Sequence, residues 1–395
     1  MLHPALRCWL CLAIGAWIIP LTASPRLDAF PGYSSGAYAR LGSYYPLAVE
    51  LQGDGPTVTG YLEVSTPDSG GSVRFPLELP SNTTKRLVLP LFANSGNNTT
   101  IDVRLMTESG KMVAERKGAL LETLAPESVL VGTLPGQAQN APVFPERPGG
   151  NPARNDVRPV MVRMDPGLFP DNPVALEGLN SLYLHSRRAL ELKEPQYAAL
   201  QAWVASGGHI LVAIENSTDV NATEWLRRLL PARVGGVVTQ PAAGVFQRFV
   251  SAEAAAGPGQ ADLQYGTQPI QRHLRRNRAR SENPFAQLIV DSDFERQQIA
   301  SVRLTPAAEA VTFLAVDKTP LAVSGRFGRG LVTVLAFNPE DRDGRHLNNR
   351  FRAGEFYLYD EYDPLRMILL NADGTLDKTT VIPSTGVVPS TALQF

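Results

Sequence analysis

The chain has 395 residues, 44% of them apolar, with 33 Gly and 32 Pro, and its 37 Lys and Arg nearly balance 38 Asp and Glu for a net charge of −1. That length gives room for two or three domains, each with a core of its own. Near-neutral charge argues against a dedicated nucleic-acid or anionic-lipid binder, and the apolar content argues against a disordered chain.

Residues 1–24 (MLHPALRCWLCLAIGAWIIPLTAS) come first. One basic residue, Arg7, precedes an apolar run from Cys8 to Ala23, and small residues lead to Pro25. This is the layout of a secretory signal peptide cleaved after Ala23 or Ser24. The alternative is an uncleaved N-terminal anchor, although the run is broken at Pro20 and is shorter than the roughly 20 residues of a spanning helix. Either way the remainder is expected outside the cytoplasm, secreted or periplasmic. The only two cysteines, Cys8 and Cys11, lie in this segment. The rest of the chain therefore has no residue for a disulfide, a thiolate nucleophile or a Cys-ligated zinc. Beyond residue 24 no apolar run reaches spanning length, so any other membrane attachment would come through a partner.

Residues 25–43 read as a lead-in, with Tyr33 and Tyr38 beginning a tyrosine cluster that continues at Tyr44 and Tyr45. From 44 to 123 short alternating segments are separated by turn residues. Leu47, Val49 and Leu51 share one face, as do Leu62 and Val64, then Val73, Phe75, Leu77 and Leu79. Leu87, Leu89 and Leu91 continue the pattern, followed by Ile101, Val103 and Leu105 and a last strand near Met112. Six or seven such strands within 80 residues point to an immunoglobulin-like β-sandwich. Pro76 belongs on an edge strand, because it has no N–H for a ladder. The sandwich carries no His and no gathered carboxylates. Asn82-Thr83-Thr84 and Asn98-Thr99-Thr100 match the N-glycosylation pattern but are read as turn residues. Carbohydrate binding would need exposed aromatics on the strands, whereas the tyrosine cluster lies mainly in the lead-in.

From 124 to 365 the pattern changes to continuous apolar runs: Val129–Leu134, Val160–Val162, Leu179–Leu184 and His209–Ile214. Such runs suit parallel strands covered on both faces. Between the last two, Glu194-Pro195 opens a helix with Leu200, Trp203 and Val204 on one face, and Gly207-Gly208 closes it. A strand–helix–strand unit of this kind predicts an open, mostly parallel sheet. Residues 231–319 are expected as an insertion, and the tail, 366–395, has no evident place to pack.

Two stretches carry a resemblance. LEGLNSLYLHSRRALELKEPQYAALQAWVASGGHILVAI and PLAVSGRFGRGLVTVLAFNPE, the latter at 320–340 with a hairpin turn at Gly328-Arg329-Gly330, resemble the class I glutamine amidotransferase-like family. The likeness is to its degenerate bacterial envelope members, in which a β-sandwich precedes the amidotransferase-like domain. The resemblance implies a multidomain β plus α/β chain, an Ig-like sandwich followed by a flavodoxin- or amidotransferase-like sheet. It also implies an envelope or membrane protein as partner. Active members carry a cysteine nucleophile on a sharp turn after a strand. Here His209–Ile214 runs into Glu215-Asn216-Ser217-Thr218-Asp219, with no Cys and no Gly-x-Ser-x-Gly elbow. The expected function is accordingly a non-catalytic binding or scaffolding component of an envelope complex.

The runner-up is a hydrolase. In open parallel sheets ligands gather outside the carboxyl ends of the strands. Those ends hold Asp165, His185 with Ser186, Glu215 with Asn216, and Asn338 with Glu340 and Asp341. His185 with Glu215 or Asp165 could form an acid/base pair. His185, His209, His273 and His346 are too dispersed for a metal spacing, and no metal or cofactor is expected. Five arginines in nine residues, among them Arg272, Arg275, Arg276 and Arg278, offer an anion-binding patch or else a solvated segment. No aromatic residue interleaves them to stack bases, so nucleic acid is not expected as a partner. No residue pattern identifies a small-molecule ligand.

Overall fold

A computed structural model describes residues 25–33, 37–65, 71–95, 99–126, 128, 130–137, 160–241 and 298–340. The expected signal peptide, the arginines at 272–280, Asp341 and the tail at 366–395 lie outside the described residues. Among those described, 55% are in strands and 16% in helices, and several sheets make this a multidomain, β-rich protein. None of the described helices is long and apolar enough to cross a membrane.

The first unit is built from β1 (Arg26–Pro31), β2 (Tyr38–Arg40), β3 (Tyr44–Gln52), β4 (Val58–Ser65), β5 (Ser72–Leu79), β6 (Thr84–Phe92), β7 (Thr99–Thr107) and β8 (Met112–Leu124). They form a three-stranded sheet, β1-β3-β6, and a five-stranded one, β2-β8-β7-β4-β5. Every pairing is antiparallel except β2 with β8. Alternation decides what faces inward: Leu47, Val49 and Leu51 meet Leu62, Ile101, Val103 and Leu105, all fully buried in one core. Pro76 sits on β5, a sheet edge, where its missing N–H costs no ladder bond. Asn82 occupies the turn between β5 and β6 at φ 53°, a conformation that Asn tolerates better than most residues. The expected lead-in is a correction: β1 and β2 are strands of the two sheets, and Leu27, Ala29 and Ala39 are buried in the core. The short alternation in 26–31 and the Gly and Ser that follow hid them.

The second unit contains β9 (Leu130–Leu134), β10 (Val160–Arg163), β11 (Ser181–His185), β12 (His209–Ala213), β13 (Ala232–Pro241), β14 (Gln298–Pro306), β15 (Val311–Val316), β16 (Thr319–Phe327) and β17 (Gly330–Leu335). The four continuous apolar runs become β9 to β12. With β17 they pair in parallel within a seven-stranded sheet, in the order β10-β9-β11-β12-β17-β16-β15. The β16–β17 hairpin turns at Gly328, whose φ of 61° suits a residue without Cβ. Helices α1 (Ser186–Ala189), α2 (Glu194–Ala205), α3 (Ser217–Ala222) and α4 (Glu224–Leu229) connect the strands. Within the expected insertion, β13 and β14 pair as a separate antiparallel ribbon. Residues 311–319 are a second correction, because β15 is the edge strand of the main sheet and β16 begins at Thr319.

The two units meet where the outer face of β3 lies against a 3-10 turn at Pro173–Leu176. Pro46 and Ala48, which would otherwise face solvent, are buried there. The Tyr33 hydroxyl donates to the Ala175 carbonyl at 2.8 Å and accepts from the Gly178 N–H at 3.1 Å. Arg40 donates to Asn180 Oδ1 at 2.9 Å, and the same oxygen accepts the Leu130 N–H at 2.8 Å. Tyr33→Phe leaves the Ala175 carbonyl without its hydroxyl donor in a buried seam, while the Gly178 N–H keeps the Tyr44 carbonyl as an acceptor at 3.2 Å. It is expected to lower the unfolding free energy by about 2 kcal/mol, read from the urea midpoint. A loss under about 0.5 kcal/mol would show that the seam does not depend on this bridge.

Candidate functional site

In the seven-stranded sheet β9 is flanked by β10 on one side and β11 on the other, so the chain changes direction there. Ligands of open parallel sheets gather in the crevice outside the carboxyl ends at such a switch point. Three segments converge on it: Pro135–Gln137 after β9, His185 at the end of β11, and Phe337–Glu340 after β17. β17 is two strands away from β11, so residues 336–340 must cross the ends of β12 and β11 to arrive.

Glu340, 3% exposed, closes the convergence. Its Oε1 accepts the Gly136 N–H at 3.0 Å and the Tyr183 hydroxyl at 2.7 Å, and its Oε2 accepts the Gln137 N–H at 3.1 Å. Tyr183 and His185 lie two apart on β11 and hence share a face. The His185 ring packs on Gly136 so closely that a Cβ there would lie 2.9 Å from three ring atoms. Its Nδ1 accepts the Arg187 N–H at 3.3 Å and so caps α1. An accepting Nδ1 is unprotonated, and burial does hold the imidazole below its ordinary pKa, against the opposing pull of Glu340 and Asp219. Asn338 hydrogen-bonds the same ring and, through Oδ1, accepts the Glu340 N–H at 2.8 Å. Arg188 completes the closure, with Nε on the Pro135 carbonyl at 2.8 Å and a paired contact to Glu191.

Of the residues singled out in the sequence, the structure brings His185 and Glu215 near one another, with Nε2 and Oε2 3.7 Å apart, beyond a hydrogen bond. Asp165 does not join them: its carboxylate accepts the Gly167 N–H at 2.7 Å and caps its own 3-10 turn, Pro166–Leu168. Ser186, fully buried, donates to Asp219 Oδ2 at 2.8 Å and accepts the Glu215 N–H at 3.4 Å. Arg272, Arg275, Arg276 and Arg278 are outside the described residues. Tyr183 and Gly136 were not singled out; the shared parity of Tyr183 and His185 and a glycine just after an apolar strand were the available signals.

The arrangement is a closed lock. A general base must offer a lone pair to its substrate, and the His185 side chain is 2% exposed with Nδ1 spent on a helix cap. Both Glu340 oxygens are occupied by backbone and phenol donors. Among the described residues no group of three His, Cys, Asp or Glu side chains is arranged to hold a metal ion.

Residues 24–120, the span from just before β1 into β8, match a family described as a domain of unknown function, DUF8726. No curated protein matches the chain. Among solved structures the chain is similar to Cytoplasmic Protein STM3548 from Salmonella typhimurium, with 10% identity over 51% of this chain and 79% of that one, at a TM-score of 0.32. It is similar to Cytoplasmic Protein STM1381 from Salmonella typhimurium LT2, with 14% identity, 53% and 82% coverage and a TM-score of 0.33. It also resembles Exo-beta-1,4-mannosidase Op5Man5 from Opitutaceae bacterium strain TAV5, with 13% identity and a TM-score of 0.30, over 59% of this chain but only 35% of the mannosidase. Likenesses at these scores carry no argument about fold or activity.

Proposed function

We propose that the protein is a non-catalytic binding or scaffolding component of a bacterial envelope complex, secreted or periplasmic, with an envelope or membrane protein as partner. In this reading the first unit is an Ig-like sandwich and the second a degenerate class I amidotransferase-like α/β domain. The observation that carries it is the filling of the switch-point crevice by the chain's own groups: Glu340 on Gly136, Gln137 and Tyr183, with His185 against Gly136. An enzyme of this architecture needs that crevice open to its substrate. The apolar run in residues 1–24 supports export.

The test is a complementation and capture experiment in the native bacterium. His185→Gln is expected to keep the cellular phenotype of the wild type in proportion to the amount of folded protein, and to keep the same crosslinked partner. Loss of the phenotype at unchanged level, fold and partner capture would overturn the reading in favour of a hydrolase using His185 and Glu215. Cell fractionation tests the export half separately: the full chain is expected outside the cytoplasm, and retention inside would refute it.

A further inference from the structure

The first unit has a cavity that its own core does not fill. At one end of the two sheets, a space of about 220 Å³ opens between β8, β7, β4 and β5 on one side and β3 and β6 on the other. Its floor is core: Tyr45, Val64, Leu91 and Leu121 are all buried. Its mouth is apolar as well, with Val73 52% exposed at the start of β5 and Phe92 50% exposed at the end of β6. The Phe92 ring stands edge-on to Tyr44 with centroids 5.1 Å apart, which holds it at the rim.

Among the described residues, one polar group inside has no partner. Thr123 follows Ala119 and Leu121 on the inward face of β8, and its Oγ1 is buried without a hydrogen bond among the described residues. Buried hydroxyls are normally paired. None of the described lining residues is Asp, Glu, Lys, Arg or His. Burial pushes the phenol of Tyr45, the one titratable group among the described lining residues, upward, so it too stays neutral.

We propose that this cavity is a binding site for a small neutral ring compound bearing one hydrogen-bonding group, its apolar body against Val64, Leu91 and Leu121 and its polar atom on Thr123 Oγ1. Size, charge and polarity each contribute to that class. An apolar cavity of about 150 Å³ holds one benzene, so the larger volume here has room for a substituted or fused ring. A charged ligand would meet no countercharge among the described lining residues and would lose its hydration. A purely apolar ligand would leave the Thr123 hydroxyl as unsatisfied as it is now.

Indole is the probe, titrated into the isotope-labelled full chain and followed by NMR. Saturable shifts are expected at Val64, Leu91, Leu121 and Thr123, with benzoate giving none. Val73→Trp closes the mouth from a half-exposed position on the edge strand β5, and Val64→Phe fills the floor. Each is expected to weaken indole at least about tenfold. Thr123→Val is expected to weaken indole about fivefold while leaving benzene unchanged, because it removes the hydroxyl and keeps the shape. Absence of saturable shifts up to the solubility of indole would overturn the site. So would indole binding that Val73→Trp does not weaken. Benzoate binding as well as indole would overturn the ligand class.

Discussion

Glu340→Ala is expected to destabilise the protein more than any other single polar substitution described above. The carboxylate is the shared acceptor for two backbone N–H groups and one phenol, and it sits at 3% exposure where water does not readily replace it. Each buried donor left without an acceptor costs about 1–3 kcal/mol. Partial relaxation and some water penetration bring three such losses to about 4 kcal/mol, a fall in Tm of about 10 °C for a unit of this size. Glu340→Gln keeps one accepting oxygen but turns an NH2 toward a donor, and should lose about half as much. Tyr183→Phe removes a donor together with its bond and should cost about 1 kcal/mol. Because the alanine variant's penalty includes the Tyr183 hydroxyl's bond to Glu340, the Glu340→Ala/Tyr183→Phe double variant should be less damaged than the two singles added. Calorimetry of the four proteins checks this. A Glu340→Ala protein melting within about 2 °C of wild type would show that the lock is not what holds residues 336–340 across the sheet.

That lock also marks where the sequence stops being readable. Continuous apolar runs disclosed β9 to β12 because a strand covered on both faces leaves no polar side to interrupt it. Edge and ribbon strands lack that signature. β13 begins Ala-Arg-Val-Gly-Gly with a single buried residue, and β15 has one neighbour only, so neither stood out from its surroundings. β1 and β2 are short and separated by Gly and Ser, yet they complete both sheets of the first unit.

The site divides in the same way. His185 and Glu215 were legible because each follows an apolar strand, and strand ends in a parallel sheet fall on one edge. Asp165 was misleading: an aspartate ahead of Pro-Gly is a helix-cap signal, and local capping won over the shared edge. Glu340 could be placed at a strand end, but its bonds to Gly136 and Gln137 were out of reach, since they depend on β17 lying beside β12 and on the chain then doubling back to β9, more than 200 residues earlier in sequence. No local pattern encodes that return.

Acid sensitivity should trace to His209 at the opposite, amino edge of the sheet. It starts β12 at 7% exposure, and its Nε2 finds no hydrogen-bond partner among the described residues. Burial disfavours the charged form and pushes the imidazole down to about 3, whereas the unfolded chain titrates near 6.5. The unfolded state therefore binds the proton first. Stability from this residue is fully present above pH about 6.5, falls as pH drops through the interval, and stops falling below about pH 3, where the folded protein protonates as well. Between pH 7 and pH 5 the loss amounts to about 2 kcal/mol. His209→Leu keeps an apolar body in the strand, removes the unpaired nitrogen and cannot titrate. Its stability at pH 7 should lie near that of the wild type. By pH 5 it should exceed the wild type by about 2 kcal/mol in urea unfolding at matched ionic strength, the shared carboxylate contributions cancelling in the comparison. Parallel pH profiles for the two proteins would mean that His209 is solvated or paired in the folded state, and that the acid-labile group lies elsewhere, with the depressed His185 next in line.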